Sequence, residues 1–169
     1  LDKNLLENID NKDFDIFDLA HKVGSVNILP VIGYYIYNKF EFNEMIKYNK
    51  FEKWCKAIAD GYIDNYYHND LHAADITQTC MIYCLEGELK EICKFNKISI
   101  ISLFLSCICH DYKHPGLNNL FLKETNNPIA IRYNDTSILE NFHISETFNI
   151  INNNKEMNIF EDIDKDTYK

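Results

Sequence analysis

Residues 98–116 read Ile98-Ser99-Ile100-Ile101-Ser102-Leu103-Phe104-Leu105-Ser106-Cys107-Ile108-Cys109-His110-Asp111-Tyr112-Lys113-His114-Pro115-Gly116. The apolar run from Ile98 to Cys109 is long enough to favour a buried helix over a strand. It is too short to span a bilayer, which takes roughly 20 residues. A hydrophobic helix that ends in His-Asp carries two metal-binding side chains into a dry interior, and Pro115-Gly116 is expected to stop it. A second segment answers the first: Tyr67-His68-Asn69-Asp70-Leu71-His72-Ala73-Ala74-Asp75. Four of the six histidines fall in these two segments, each with aspartate close by, a composition suited to Zn, Mn, Fe or Mg.

Working outward, the periodicity is helical almost throughout. Phe51, Trp54, Cys55, Ile58, Ala59, Tyr62 and Ile63 form an apolar stripe at helical spacing, with Glu52, Lys53, Lys56 and Asp60 opposite. Shorter helices are expected over Phe14 to His21 and Leu29 to Phe40. Asn69 or Asp70 can cap a helix running to about Leu85, and another helix covers Ser137 to Ile151 until Asn152-Asn153-Asn154 breaks the pattern. No alternating β pattern, Asn-Gly hairpin, glycine-rich loop or internal repeat occurs. The expected fold is all-α, a multi-helix bundle within one domain spanning residues 1–169.

The 169 residues are enough for one core, and a net charge of -9 argues against a nucleic-acid partner, which needs a basic face. The six cysteines contain no Cys-x-x-Cys pair and lie on apolar stretches, so they are expected to be reduced core residues of a cytosolic domain. Cys80 with Cys84, and Cys107 with Cys109, have spacings that metals use, but burial is the simpler reading. Leu1 to Asp15 is too acidic and polar for a secretory signal, and no segment makes membrane contact. The location expected is cytoplasmic or cytosol-facing, with an anchor elsewhere in a longer protein left open.

The chemistry follows from placing these residues. His68 and His72 are four apart and face one side of a helix that starts by residue 68. His110 and Asp111 are adjacent and converge only where the chain has left helical geometry. His72, His110 and Asp111 are the expected ligands of a zinc-like ion, with Asp111 bridging to a second ion of Mg or Mn type. Two such metals activate a shared water for in-line attack on phosphorus. His68, near the metals and with an ordinary pKa of about 6.5 that a neighbouring carboxylate would raise, is the expected general acid.

The two segments, read as Tyr67-His68-Asn69-x-x-His72-Ala73-Ala74-Asp75-Ile76-x-Gln78 and His110-Asp111-x-x-His114-Pro115-Gly116-x-x-Asn119-x-Phe121, resemble the motifs of the class I 3',5'-cyclic-nucleotide phosphodiesterases. Phe14-Asp15-Ile16-Phe17 resembles the family's opening helix, and Tyr133-Asn134-Asp135-x-Ser137-x-Leu139-Glu140-Asn141 a further family segment. The resemblance implies a helical bundle of the HD/phosphodiesterase type that hydrolyses cAMP or cGMP to the 5'-monophosphate. It implies that His68 protonates the O3' leaving group and that Tyr67 lines the pocket. His72, His110 and Asp111 become ligands of the first metal, and His114, Asn119, Glu140 and His143 become pocket or outer residues around the bridging water. Where the family commonly reads Glu-Asn-His-His, this chain has Glu140-Asn141-Phe142-His143.

The resemblance further implies an aspartate ligand and a purine-binding glutamine later than residue 169. The chain is therefore expected to be the N-terminal portion of a catalytic domain, incomplete and inactive alone, with regulatory domains or a dimer partner open. Asp162, Asp164 and Asp166 belong to a polar acidic segment and are expected to be solvated, not ligands. Bland roles compete at several positions: Ser137-x-x-Glu140 reads as a capping box, His114 could cap carbonyls at a helix end, and Tyr67 could simply pack. Two other functions stay open, a generic HD-type phosphohydrolase and a non-catalytic helical module that binds metal.

Overall fold

The computed structural model describes residues 3–24, 27–87 and 89–168, and among them there are only helices and connecting turns. The helices are α1 (Ile16–Val23), α2 (Ile28–Lys39), α3 (Tyr48–Gly61), α4 (Asp70–Leu85), α5 (Leu89–Ile92), α6 (Lys97–Cys109), α7 (Asn119–Glu124), α8 (Pro128–Arg132), α9 (Ile138–Asn153) and α10 (Lys165–Tyr168). The long helices start where the sequence offers a short polar cap. Asp15 accepts from the Phe17 and Asp18 amides, Asn69 from His72 and Asn96 from Ser99, each satisfying amides that the first turn leaves without partners. Asp15 as cap is why α1 begins at Ile16 and not at Phe14.

The core forms where α2, α3, α4 and α6 pack together, centred on Phe42, Phe51, Trp54, Phe104 and Ile58, all essentially inaccessible to solvent. Phe51, Trp54, Cys55, Ile58 and Ala59 are buried as their stripe predicts. Tyr62 and Ile63 leave the stripe because α3 ends at Gly61: Tyr62 is half-buried and Ile63 is exposed. A separate small cluster, Leu122, Ala130, Ile138 and Leu139, ties α7 and α8 to the start of α9. No described helix is long and apolar enough to cross a membrane.

Three further expectations need correcting. α6 is not stopped by Pro115-Gly116; it ends at Cys109, and residues 110–113 form a tight turn with Lys113 in the left-handed region at φ 60°. Ser137 forms no capping box, because its backbone is also left-handed (φ 43°) and its side chain makes no cap bond. The cysteines are all free, but only Cys55 and Cys84 are fully buried; Cys80, Cys107 and Cys109 are half-buried and Cys93 is exposed.

The acidic segment after α9 is fixed to α3 by three lysines on successive turns. Lys47 pairs with Asp162, Lys53 with Glu156, and Lys50 reaches both Glu161 at 2.7 Å and the Lys155 carbonyl at 2.6 Å. Asp162, Asp164 and Asp166 are exposed, and Asp164 caps α10. Lys50 is the only one of the three lysines that is buried. Exposed pairs contribute about 0 to 1 kcal/mol, whereas a buried donor lost from a charged hydrogen bond costs about 1.5 to 3 kcal/mol. Lys50→Met is therefore expected to lower unfolding free energy in urea by about 2 kcal/mol, and Lys47→Met or Lys53→Met by under about 1 kcal/mol. Equal effects at all three positions would refute this ranking.

Candidate metal and phosphoryl-transfer site

The turn after α6 brings the two histidine segments together. His110 Nε2 lies 3.3 Å from His72 Nε2 and 3.2 Å from Asp111 Oδ2, and His72 Nε2 is 3.6 Å from the same oxygen. From the other side His143 Nε2 stands 3.8 Å from Asp111 Oδ1. Asp111 thus sits among three imidazoles from α4, the α6 turn and α9.

Second bonds fix the tautomers. His110 Nδ1 donates to the Cys107 carbonyl at 2.9 Å, and His143 Nδ1 to the Tyr112 carbonyl at 2.7 Å. In both neutral rings Nε2 is then a bare acceptor. His114 is the opposite case: its Nδ1 accepts the Gly116 amide at 3.0 Å, so the neutral ring carries its proton on Nε2 and is a donor. His114 therefore does not cap α6 and is unsuited to ligate a cation, although Asp111, His114 and His143 come close enough together to suggest a second group.

The donor set fits a divalent ion. His72, His110 and Asp111 offer two imidazoles and a carboxylate, borderline ligands suited to zinc and its neighbours. Their separations are near the roughly 3.0 to 3.4 Å between adjacent ligands on bonds of about 2.1 Å. Acceptors facing one another at such distances need a cation or a proton between them. Burial opposes charge on His110, but bonds to Asp111 and to the Cys107 carbonyl outweigh it and raise its pKa. Burial likewise opposes the Asp111 carboxylate, yet the His110 hydrogen bond and charge hold its pKa down at about 2.

His68 precedes α4 by two residues, so the expected shared helical face with His72 does not exist. The two rings are nonetheless neighbours, their centroids 6.0 Å apart. His68 stacks on His114 at 3.8 Å and 10°, and no carboxylate hydrogen-bonds to it among the described residues. The Tyr67 ring lies 4.5 Å from His72 and 5.0 Å from His68, so it shields both, unlike the fully exposed Tyr66. Asn119 accepts the Leu139 amide at 3.0 Å and donates to both Glu140 oxygens, at 3.0 and 3.3 Å. It does for α9 what Ser137 does not, and it holds Glu140. Phe142 is half-buried on α9 beside His143. The sequence reading missed Lys113, whose 2.6 Å ion pair with Glu146 ties the turn to α9. No local pattern signals a pair so far apart in sequence.

Comparison with known proteins agrees with this geometry. The description of the 3'5'-cyclic nucleotide phosphodiesterase family matches residues 67–169. The chain belongs to that family. It is 35% identical over 152 residues to a 3',5'-cyclic-AMP phosphodiesterase 4 of Dictyostelium discoideum, covering 88% of this chain and 14% of that protein. To the 3',5'-cyclic-nucleotide phosphodiesterase regA of the same organism it is 33% identical, covering 93% of this chain and 19% of the relative. To a dual specificity calcium/calmodulin-dependent 3',5'-cyclic nucleotide phosphodiesterase 1B of Mus musculus it is 32% identical, covering 98% and 31%. The chain thus spans less than a third of each of these relatives. Membership in the family implies divalent metals, and the His72, His110 and Asp111 group is where the chain could hold one.

Burial of the cluster sets a pH dependence for the metal-free protein. His72, His114 and His143 are all held below the ordinary 6.5 chiefly by burial, His114 at about 4. In the unfolded chain these imidazoles gain protons near pH 6.5 that the folded chain refuses until lower pH. Stability is therefore whole above that value and falls as pH drops toward 4. His110 is shifted the other way and only partly compensates, and Asp111 adds nothing until the pH is below its unfolded value. In EDTA the melting temperature is expected to fall between about pH 7 and pH 5, and to fall less in His114→Phe. A melting temperature that rises on acidification would contradict the assignment.

Proposed function

We propose that this chain supplies the metal-binding and general-acid part of a catalytic domain that hydrolyses the 3'-phosphoester of cAMP or cGMP to the 5'-monophosphate. The observation that carries the reading is the meeting of His72, His110 and Asp111 at one point, with the half-buried His68 ring 6.0 Å from that of His72. His72, His110 and Asp111 would hold a zinc-like first ion, with Asp111 also turned to a second of Mg or Mn type. When bound, such a pair activates water near neutral pH and neutralises charge developing on phosphorus.

The chain's own residues do the rest. Asp111 stays ionised and is oriented by three imidazoles. The Cys107 and Tyr112 carbonyls lock His110 and His143 so that each presents an unprotonated Nε2 inward. Asn119 positions Glu140 at the site's edge, and Tyr67 covers His68 and His72. His68 is bound by stacking on His114 and not by a ligand bond, leaving a ring nitrogen free to hand a proton to a departing O3' oxygen. In a longer protein that turns over cyclic nucleotide, His68→Ala is expected to lower kcat by roughly 10² to 10⁴ with metal content unchanged. His110→Ala and Asp111→Ala should lose metal and activity together. Equal metal loss in His68→Ala, measured by elemental analysis, would make His68 a ligand.

We also place residues 1–169 as the N-terminal portion of that domain. Asp111 is the only carboxylate in the proposed metal-binding groups among the described residues, and the relatives are several times longer. A further carboxylate and a base-recognising glutamine are expected from residues outside this chain. This chain and a longer form, each supplied with Zn and with Mg or Mn, should differ sharply when loss of cAMP and of cGMP is followed separately: the short chain is expected to be inert. Comparable turnover by both would overturn the partial-domain reading, and an inert, metal-loaded long form would overturn the hydrolase reading.

A further inference from the structure

Away from the histidine cluster, the end of α1, the start of α2 and the first half of α3 border a cavity of about 650 Å³. That is within the roughly 300 to 1,000 Å³ of sites that hold small organic molecules. Val23, Val31 and Phe51 supply apolar wall, and no residue proposed to hold metal lines it. Cys55 lies on the buried side. Its thiol donates to the Leu29 carbonyl at 3.9 Å, and burial pushes its pKa up to about 12, so that wall carries no charge near neutral pH.

The polar end is built differently. Tyr34 of α2 and Tyr48 of α3 both line the cavity, with ring centroids 6.0 Å apart and planes at 79°. They are 40% and 39% exposed, so the packing of one ring against the other leaves aromatic surface open to an occupant. The Tyr48 hydroxyl donates to the Glu52 carboxylate at 3.2 Å, one turn along α3. Among the described residues no lysine or arginine forms an ion pair with Glu52. Lys22, the other charged residue of the lining, is engaged with Asp18 at 2.6 Å. The charges of that pair cancel, and Glu52 leaves the cavity net negative.

We propose that this cavity binds a small organic ammonium ion, a protonated amine on an apolar frame, with its head between Glu52 and the two tyrosine rings and its frame against Val31 and Phe51. Each part of the lining selects one part of such a ligand. A carboxylate accepts charge-assisted hydrogen bonds from an ammonium group, and an aromatic face attracts a cation within about 6 Å of its centroid. An anion on the same frame meets the Glu52 charge and the negative ring faces. A neutral compound gains the apolar contact alone. The inference is independent of the metal reading, because the cavity and the histidine cluster share no residue.

The test titrates the ¹⁵N-labelled chain with benzylammonium, benzyl alcohol and benzoate in turn, near pH 7 and at low salt. The three probes share one ring and differ in charge. Saturable amide shifts with benzylammonium are expected at Val31, Tyr34, Tyr48 and Glu52, while His72 and Asp111 stay in place. Its affinity should exceed that of benzyl alcohol at least about threefold, and benzoate should not saturate these residues. Glu52→Gln is expected to weaken benzylammonium about two- to fivefold and to leave benzyl alcohol unchanged. Tyr34→Leu should weaken benzylammonium by a similar factor. Both positions are exposed, so melting temperatures near that of the unaltered chain will show that the variants are folded. Equal affinity for the alcohol and the ammonium ion, an unchanged affinity in Glu52→Gln, or benzylammonium shifts spread over the acidic surface without saturation at these four residues would each overturn the proposal.

Discussion

Asp111 is a carboxylate removed from most of its water, and everything around it is arranged to keep it charged. Its side chain is 16% exposed, and an unpaired ion there would cost several kcal/mol. His110, whose Nε2 lies 3.2 Å away, offsets that cost by hydrogen bond and charge when it carries a proton, while the His72 and His143 nitrogens at 3.6 and 3.8 Å need a proton or a cation between them and the carboxylate. The arrangement exists because α6 stops at Cys109. Were the helix one turn longer, His110 and Asp111 would diverge by about 100° around its axis. Instead the chain turns at once: the Tyr112 amide donates to the Cys109 carbonyl and the His114 amide to the Asp111 carbonyl, while Lys113 adopts the left-handed backbone.

The turn is in its place because the bundle behind it leaves room and partners for it. Tyr62, just past α3, donates its hydroxyl to the Ile108 carbonyl, one of the acceptors that the end of α6 leaves unsatisfied. The Tyr112 ring lies across Gly61, where any side chain would collide with it. Asn65 donates to the His114 carbonyl, and Lys113 ties the turn to Glu146. A loop with so many fixed points is rigid, as a site that must hold ligands to fractions of an ångström requires. It also explains why the site residues come from such separate stretches: α4 supplies His72, the turn His110 and Asp111, and α9 His143.

The core helices were legible because their signal is local. The stripe from Phe51 to Ala59, the Asn69 cap and the apolar run of α6 each follow from spacing within a dozen residues. The meeting of His72 with His110 was legible for a different reason, since two segments of such composition have little other use. What escaped is non-local or conformational. Ser137 and Glu140 have the spacing of a capping box, but left-handed Ser137 yields that task to Asn119, about twenty residues away. The short helices α5, α7, α8 and α10 carry too few residues for periodicity to speak. His68 shares a helical face with His72 only in a helix that starts by residue 68, and α4, capped by Asn69, starts at Asp70. Its nearness to His72 survives through stacking on His114, a contact no spacing rule encodes.

The charge balance of the site bears on its ligand. Overall the chain carries a net charge of -9, which ought to repel an anion. The acidic residues, however, are spread over the surface, and several are spent on the lysines of α3. Inside the cluster one carboxylate faces imidazoles that burial keeps mostly neutral. Were two divalent ions bound here as proposed, a single Asp111 carboxylate could not neutralise them, and the partly desolvated surroundings would make the excess felt strongly. Positive charge so concentrated beside Tyr67, His68 and His114 would favour an anionic, hydrogen-bonding ligand, as the proposed phosphodiester is. On the same proposal a further carboxylate near the first ion would complete the charge balance, and these three ligands alone would hold that ion more weakly than a set of four.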